Sequence, residues 1–176
     1  MMGRALLIVG VMATIGLIVS AYLGYGLHGT AVLAMQRHVL VALASCLLLL
    51  FSHCWIMFYL IGTGKAIKDA VKEFGLEQRL VEETKRFKNV SYPSMMLAMA
   101  TAMATFIVGG GVATGSIPVW IHHVLFYATL LSQALALQLE HRVLTENEAL
   151  MADIDQRLMW AEMAAAPRPA GRGAGA

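Results

Sequence analysis

Six histidines, His28, His38, His53, His122, His123 and His141, are the residues of this chain best suited to chemistry. All six lie in or at the ends of strongly apolar stretches, while the charged segment between residues 65 and 88 has none. Neutral imidazole is the commonest metal ligand and a standard axial ligand for haem iron. An ionisable group inside a membrane is expensive to bury and is by default a functional-site hypothesis. The plainer alternative has the terminal histidines among lipid headgroups and His53 hydrogen-bonded to a neighbouring helix. That alternative is weaker for the whole set than for any one member.

The elements that must position these rings are read from charge. Between Ala5 and Gly64 the only formal charge is Arg37, and between Asn89 and Leu139 there is none. One bilayer crossing takes about 20 apolar residues, so each stretch is long enough to cross twice. Only 14% of the 176 residues are charged, against roughly 25% for a soluble domain. The expected fold is an all-α integral membrane protein, a bundle of four transmembrane helices with spans near residues 5–26, 32–61, 93–109 and 117–139. A loop over 62–92 carries Lys65, Lys68, Lys72, Arg79, Lys85, Arg86 and Lys88. That enrichment places the loop, and with it both termini, in the cytoplasm. Its apolar stripe predicts a helical hairpin breaking at Gly75, with Lys65–Asp69 and Glu82–Arg86 as i,i+4 pairs. Pro93 is expected in the first turn of the third helix, and Gly109, Gly110 and Gly111 near its end. A cytoplasmic amphipathic helix over 144–166 and a disordered tail over 167–176 complete the reading.

On this frame His38 begins the second helix near the outer face, and His122 and His123 lie near the outer start of the fourth. Those helices run parallel, so the depths agree. His122, Thr129, Gln133 and Glu140 share one face of the fourth helix, because steps of seven and eleven nearly return to the same angle. His122 is therefore preferred to His123 as the partner of His38. The arrangement resembles the bis-histidine four-helix core of membrane b-type cytochromes, over two helices. His38 and His53 are fifteen residues apart on one helix, close to the two-haem spacing of that group. The resemblance implies haem b held by His38 and His122, with His53 and His123 as further candidates. It departs at Gln138, which stands fifteen residues after His123, so a second haem lacks its matched ligand.

Sulfur offers a second chemistry. Met95, Met99 and Met103 recur every four residues, and Met103 is expected near the depth of His53. Soft thioether ligands favour Cu(I), although such stripes more often fill gaps in packing. Cys46 and Cys54 lie about 12 Å apart along one helix, too far for a disulfide. No nucleophile–base pair falls within the spans, and a net charge of +2 gives no reason to expect nucleic acid. The leading expectation is a haem-binding electron-transfer subunit in a bacterial inner membrane, not an enzyme on its own. Its partners would be lipid and the other subunits of a respiratory or redox complex, or further copies of itself. A cofactor-free scaffold or anchor subunit is the rival, and a Cu(I)-handling membrane protein the third.

Overall fold

The computed structural model describes residues 2–26 and 32–165; His28 and the tail expected to be disordered lie outside them. It is all-helical over those residues, with four helices: α1 Met2–Tyr25, α2 Val32–Phe74, α3 Arg79–Ala113 and α4 Val119–Ala165. In an apolar medium each backbone N–H and C=O must find its partner within its own segment, and a helix does this. All four helices are long and apolar enough to cross a membrane. Their outward faces carry Ile8, Ile15, Phe58, Ile107 and Leu131, each more than half exposed.

With 24 residues, α1 spans about 36 Å. α2 has 43 residues and α4 has 47, so each is about twice as long as the roughly 30 Å hydrocarbon core requires. The bundle therefore has a short end, where α1 meets α2 and α3 meets α4. At its long end α2, α3 and α4 continue together without α1. α1 packs chiefly on α2, and α3 on α4. Ala13, Leu17, Cys46, Leu49, Met99 and Ala102 form one core cluster. A second joins Leu6, Ile56, Leu60, Phe87, Met95, Val143 and Leu144. The third lies in the long extension, where Ile67, Val71, Leu80, Val81 and Ile154 close a three-helix core.

The helix ends explain the turns. Gly75 takes φ +65°, and the Leu76 N–H reaches back to the Val71 carbonyl at 3.1 Å. Gly115 takes φ +73°, with the Ser116 N–H on the Gly111 carbonyl at 2.9 Å. Both are left-handed glycine stops that satisfy the last carbonyls of a helix.

Several sequence expectations change here. α2 runs on past residue 61 into the hairpin as expected, but α4 is a single helix that passes unbroken through the boundary expected at 139. Pro93 lies inside α3 rather than at its start. Its ring removes one backbone donor, while the turn around it is held by buried Ser91 and Met95. α3 also continues through Gly109–Gly111 to Ala113, because the stop is Gly115. Arg86 bonds Glu83 and Glu146, both at 2.8 Å, instead of the expected Glu82.

Candidate functional site

A cavity of about 240 Å³ lies at the short end, lined by residues of all four helices, among them His38, His122 and His123. His38 enters from α2 and His122 from α4. The two are alike in a way that no single residue reveals. His38 Nδ1 lies 2.8 Å from the Ser20 carbonyl on α1, and His122 Nδ1 lies 3.1 Å from the Thr105 carbonyl on α3. A carbonyl only accepts, so in each ring Nδ1 carries the hydrogen and Nε2 keeps its lone pair.

Four residues after each of these carbonyls stands a glycine with the imidazole against it. A Cβ at Gly24 would lie 2.9 Å from His38 Cε1, and one at Gly109 would lie 3.0 Å from His122 Cε1. A larger residue at either position would make the ring or its helix give way. The Gly16–Ser20–Gly24 face of α1 thus meets α2, with Gly16 against Ser45 and Ser20 against His38. Ser20, Gly24 and His38 recur in order as Thr105, Gly109 and His122, with a histidine 14 residues after the first glycine and 13 after the second. That recurrence was the sequence signal for the arrangement, and it is hidden by the change from serine to threonine and by the one-residue difference in spacing.

His123 also lines the cavity, but its ring lies against Tyr25, centroids 4.9 Å apart. The Tyr25 hydroxyl in turn meets that of Tyr127 at 3.1 Å. His141 is exposed. Met103 is 48% exposed and faces away from the bundle, while Met95 and Met99 are buried. Each four-residue step drifts about 40° around a helix, and two steps carry the third methionine off the buried face. Among the described residues no three His, Cys, Asp or Glu side chains converge on a metal-sized site.

His53 belongs to a different site. It is fully buried, and both ring nitrogens are engaged: Nδ1 with Glu140 Oε1 at 2.5 Å and Nε2 with Gln133 Oε1 at 2.8 Å. It therefore has no lone pair for a metal and leaves the ligand set. Glu140, which reads from sequence as the first charge past the fourth span, is itself fully buried. Its second oxygen and the Asn147 amide nitrogen are the buried side-chain polar atoms without a hydrogen-bond partner among the described residues. Thr129, Gln133, Glu140 and Asn147 form a buried polar column down α4. In the long extension, Glu146 bonds both Arg86 and Arg142 at 2.8 Å, and its hydrogen bond, with its charge, holds the exposed Arg142 guanidinium above its usual value.

No protein-family profile, no curated protein and no solved structure matches this chain.

Proposed function

We propose that the protein is a membrane electron-transfer subunit that holds haem b at the short end of the bundle, where Nε2 of His38 and Nε2 of His122 would bind its iron. One observation carries this reading: two histidines on parallel helices line one cavity, each with Nδ1 committed to a backbone carbonyl and each seated on a glycine. Metal-bound histidines almost always donate their other N–H in this way, which fixes the tautomer and makes the ligating nitrogen more basic. When bound, haem supplies a one-electron ferric/ferrous couple. The chain does the rest. Ser20 and Thr105 aim the rings, Gly24 and Gly109 give them room, and the apolar lining of Leu17, Met35, Val39 and Phe126 excludes water.

The side of the membrane follows from charge. The seven basic residues between Lys65 and Lys88 favour the cytoplasmic face of a bacterial inner membrane for the long end. The cavity then opens near the outer face, and both termini lie inside. Cysteine placed at Thr114 is expected to label from outside, and cysteine at Gln78 only after permeabilisation. The opposite pattern would invert the arrangement.

The cofactor is tested by the absorption spectrum of the protein expressed with ample haem, oxidised and then reduced. A Soret band and a reduced α-band are expected, lost in His38→Ala and in His122→Ala but kept in His141→Ala. A wild type without Soret absorption would leave the scaffold reading. The docking surface would then be the long extension, where Met159, Trp160 and Met163 are each more than half exposed.

A further inference from the structure

We propose that the buried His53–Glu140 pair is a proton-binding site that loads from water at the long end when an electron enters the cavity, so that electron transfer is coupled to proton uptake. The electron in this proposal rests on the haem reading above; the proton chemistry rests on the geometry of the pair alone.

The hydrogen-bond network fixes where the hydrogens are. Thr14 Oγ1 donates to the Gly10 carbonyl at 2.9 Å, so toward Gln133 it can only accept. Gln133 accordingly turns its amide nitrogen to Thr14 at 3.3 Å and to the Gly10 carbonyl at 3.5 Å. Its oxygen faces His53 Nε2. The flipped amide would set oxygen against oxygen at Gly10. His53 Nε2 therefore carries a hydrogen, and a single further proton lies between Nδ1 and Glu140 Oε1. Written as imidazolium–carboxylate or as imidazole–carboxylic acid, the pair is neutral and shares that one proton.

Glu140 Oε2 is the position left for a second proton. It is buried and has no donor, an arrangement that folded proteins rarely leave without a reason. A proton bound there gives an imidazolium beside a carboxylic acid, with a net charge of +1. Seven residues along the same face of α4, the Asn147 side chain meets Thr63 Oγ1 at 3.3 Å, and that hydroxyl already donates to the Tyr59 carbonyl at 3.0 Å, so one atom of the buried Asn147 amide has no partner whichever way the amide is turned. About 10 Å of helix separates the two, and Leu6, Ile56, Leu60, Val143 and Leu144 fill that level. An unpaired polar atom on each side of an apolar layer, Glu140 Oε2 on one and the Asn147 amide on the other, marks the two ends of a step that water completes.

Among the described residues, His53 and Glu140 are the acidic and basic side chains that are buried. Gly10 and Thr14 of α1 meet Gln133, while Lys88 Nζ lies toward Gly64 and Glu148 Oε1 toward Gly3. The nearby ionisable groups are turned elsewhere. Cys54 points to the Met99 sulfur at 3.9 Å, and the Tyr92 hydroxyl donates to the Met57 carbonyl at 2.9 Å. His141 and Arg142 on α4 are exposed. Toward the cavity, buried Thr129 lines its wall and stands one turn from Gln133. A negative charge added in the cavity is therefore felt at the pair across a low-dielectric interior. The step balances simply. One electron from a one-electron donor enters the cavity site and one proton from water at the long end binds Oε2, with no covalent bond of the protein broken.

The test is a redox titration of the purified full-length protein at several pH values, followed by absorbance. Reduction that favours proton uptake makes the midpoint potential fall as pH rises, by up to about 59 mV per pH unit for one proton per electron. Glu140→Gln can still donate to His53 Nδ1, so its spectrum is expected unchanged and its pH slope flat. Glu140→Asp keeps a carboxyl and is expected to keep a slope in a displaced pH window, which covers the case of a Gln variant that fails to fold. A flat wild type, or equal slopes in wild type and Glu140→Gln, overturns the proposal. A protein without haem absorption fails the haem reading and the electron half of the coupling with it. Infrared titration of that protein then decides the proton site. A carboxylic C=O band that grows on acidification and is missing from Glu140→Gln supports it, and the absence of such a band overturns it.

Discussion

Removing His53 should do far more damage than removing His53 and Glu140 together. His53→Leu takes away the partner of a carboxylate that is fully buried and whose second oxygen has none. Breaking a buried pair on one side costs about 3–5 kcal/mol, because the remaining charge has no compensation. Gln133 also loses the hydrogen bond to its Oε1, which adds about 1 kcal/mol. Replacing both members with apolar residues of similar volume, His53→Leu with Glu140→Met, removes the buried charge altogether and is expected to be neutral or stabilising relative to the native pair, apart from the Gln133 term. The double variant should therefore be the more stable by at least about 3 kcal/mol, with a coupling energy of at least about 3 kcal/mol. Denaturant unfolding in mixed micelles, read from tryptophan fluorescence across the four members of the cycle, measures this directly. Effects that add to within about 0.5 kcal/mol would refute the reasoning. They would mean that the Glu140 carboxylate is compensated in the folded protein without His53.

The glycines beneath the imidazoles give a second test. Gly24→Ala and Gly109→Ala each push a methyl to about 3 Å from a ring carbon, an overpacking expected to cost about 1–3 kcal/mol and to weaken haem loading. Gly62→Ala meets nothing within 4 Å and should gain about 0.5–1 kcal/mol from helix propensity; equal melting curves for all three would sink the close-seat argument. Met99→Ala, in the core, should destabilise by about 2 kcal/mol or more, whereas Met103→Ala should change neither stability nor spectrum, and an altered spectrum would return Met103 to the ligand set. Glu140→His would set a second imidazole opposite His53, yet His53, Gln133 and Glu140 are all fully buried at that level, so the haem content per chain should stay at the wild-type value.

Much of the fold was legible because the membrane leaves few choices. Charge absent from two long stretches gives four helices directly, and Gly75 gives the hairpin turn. What could not be read was where local signals were overruled by packing at a distance. Pro93 and the run Gly109–Gly111 are helix breakers taken singly, yet α3 passes through both. Its carbonyl at Thr105 and its glycine at 109 are held in register by His122 on α4. Glu140 shares the buried face of α4 with Thr129 and Gln133, as their spacing indicates, but its partner could not be read for the same reason. Read along the chain, it is the first charge after a long apolar run and belongs at the water boundary. Read across the bundle, it is the counter-ion of a histidine 87 residues earlier.

The two hairpins are near copies at the short end and unlike at the middle, and the difference separates two kinds of work. At the short end, equivalent residues from α1–α2 and α3–α4 leave two imidazole nitrogens free over a cavity. One level down, histidine on α2 is answered by glutamate on α4, the space is filled, and both ring nitrogens are consumed. A matched pair of neutral bases can share one metal between them, because each contributes a lone pair and neither needs a proton. An acid opposite a base cannot, because the proton they share occupies the lone pair a metal would need. The same chemistry that disqualifies His53 as a ligand makes it a place to keep a proton inside a membrane, at a charge of zero until a second proton arrives.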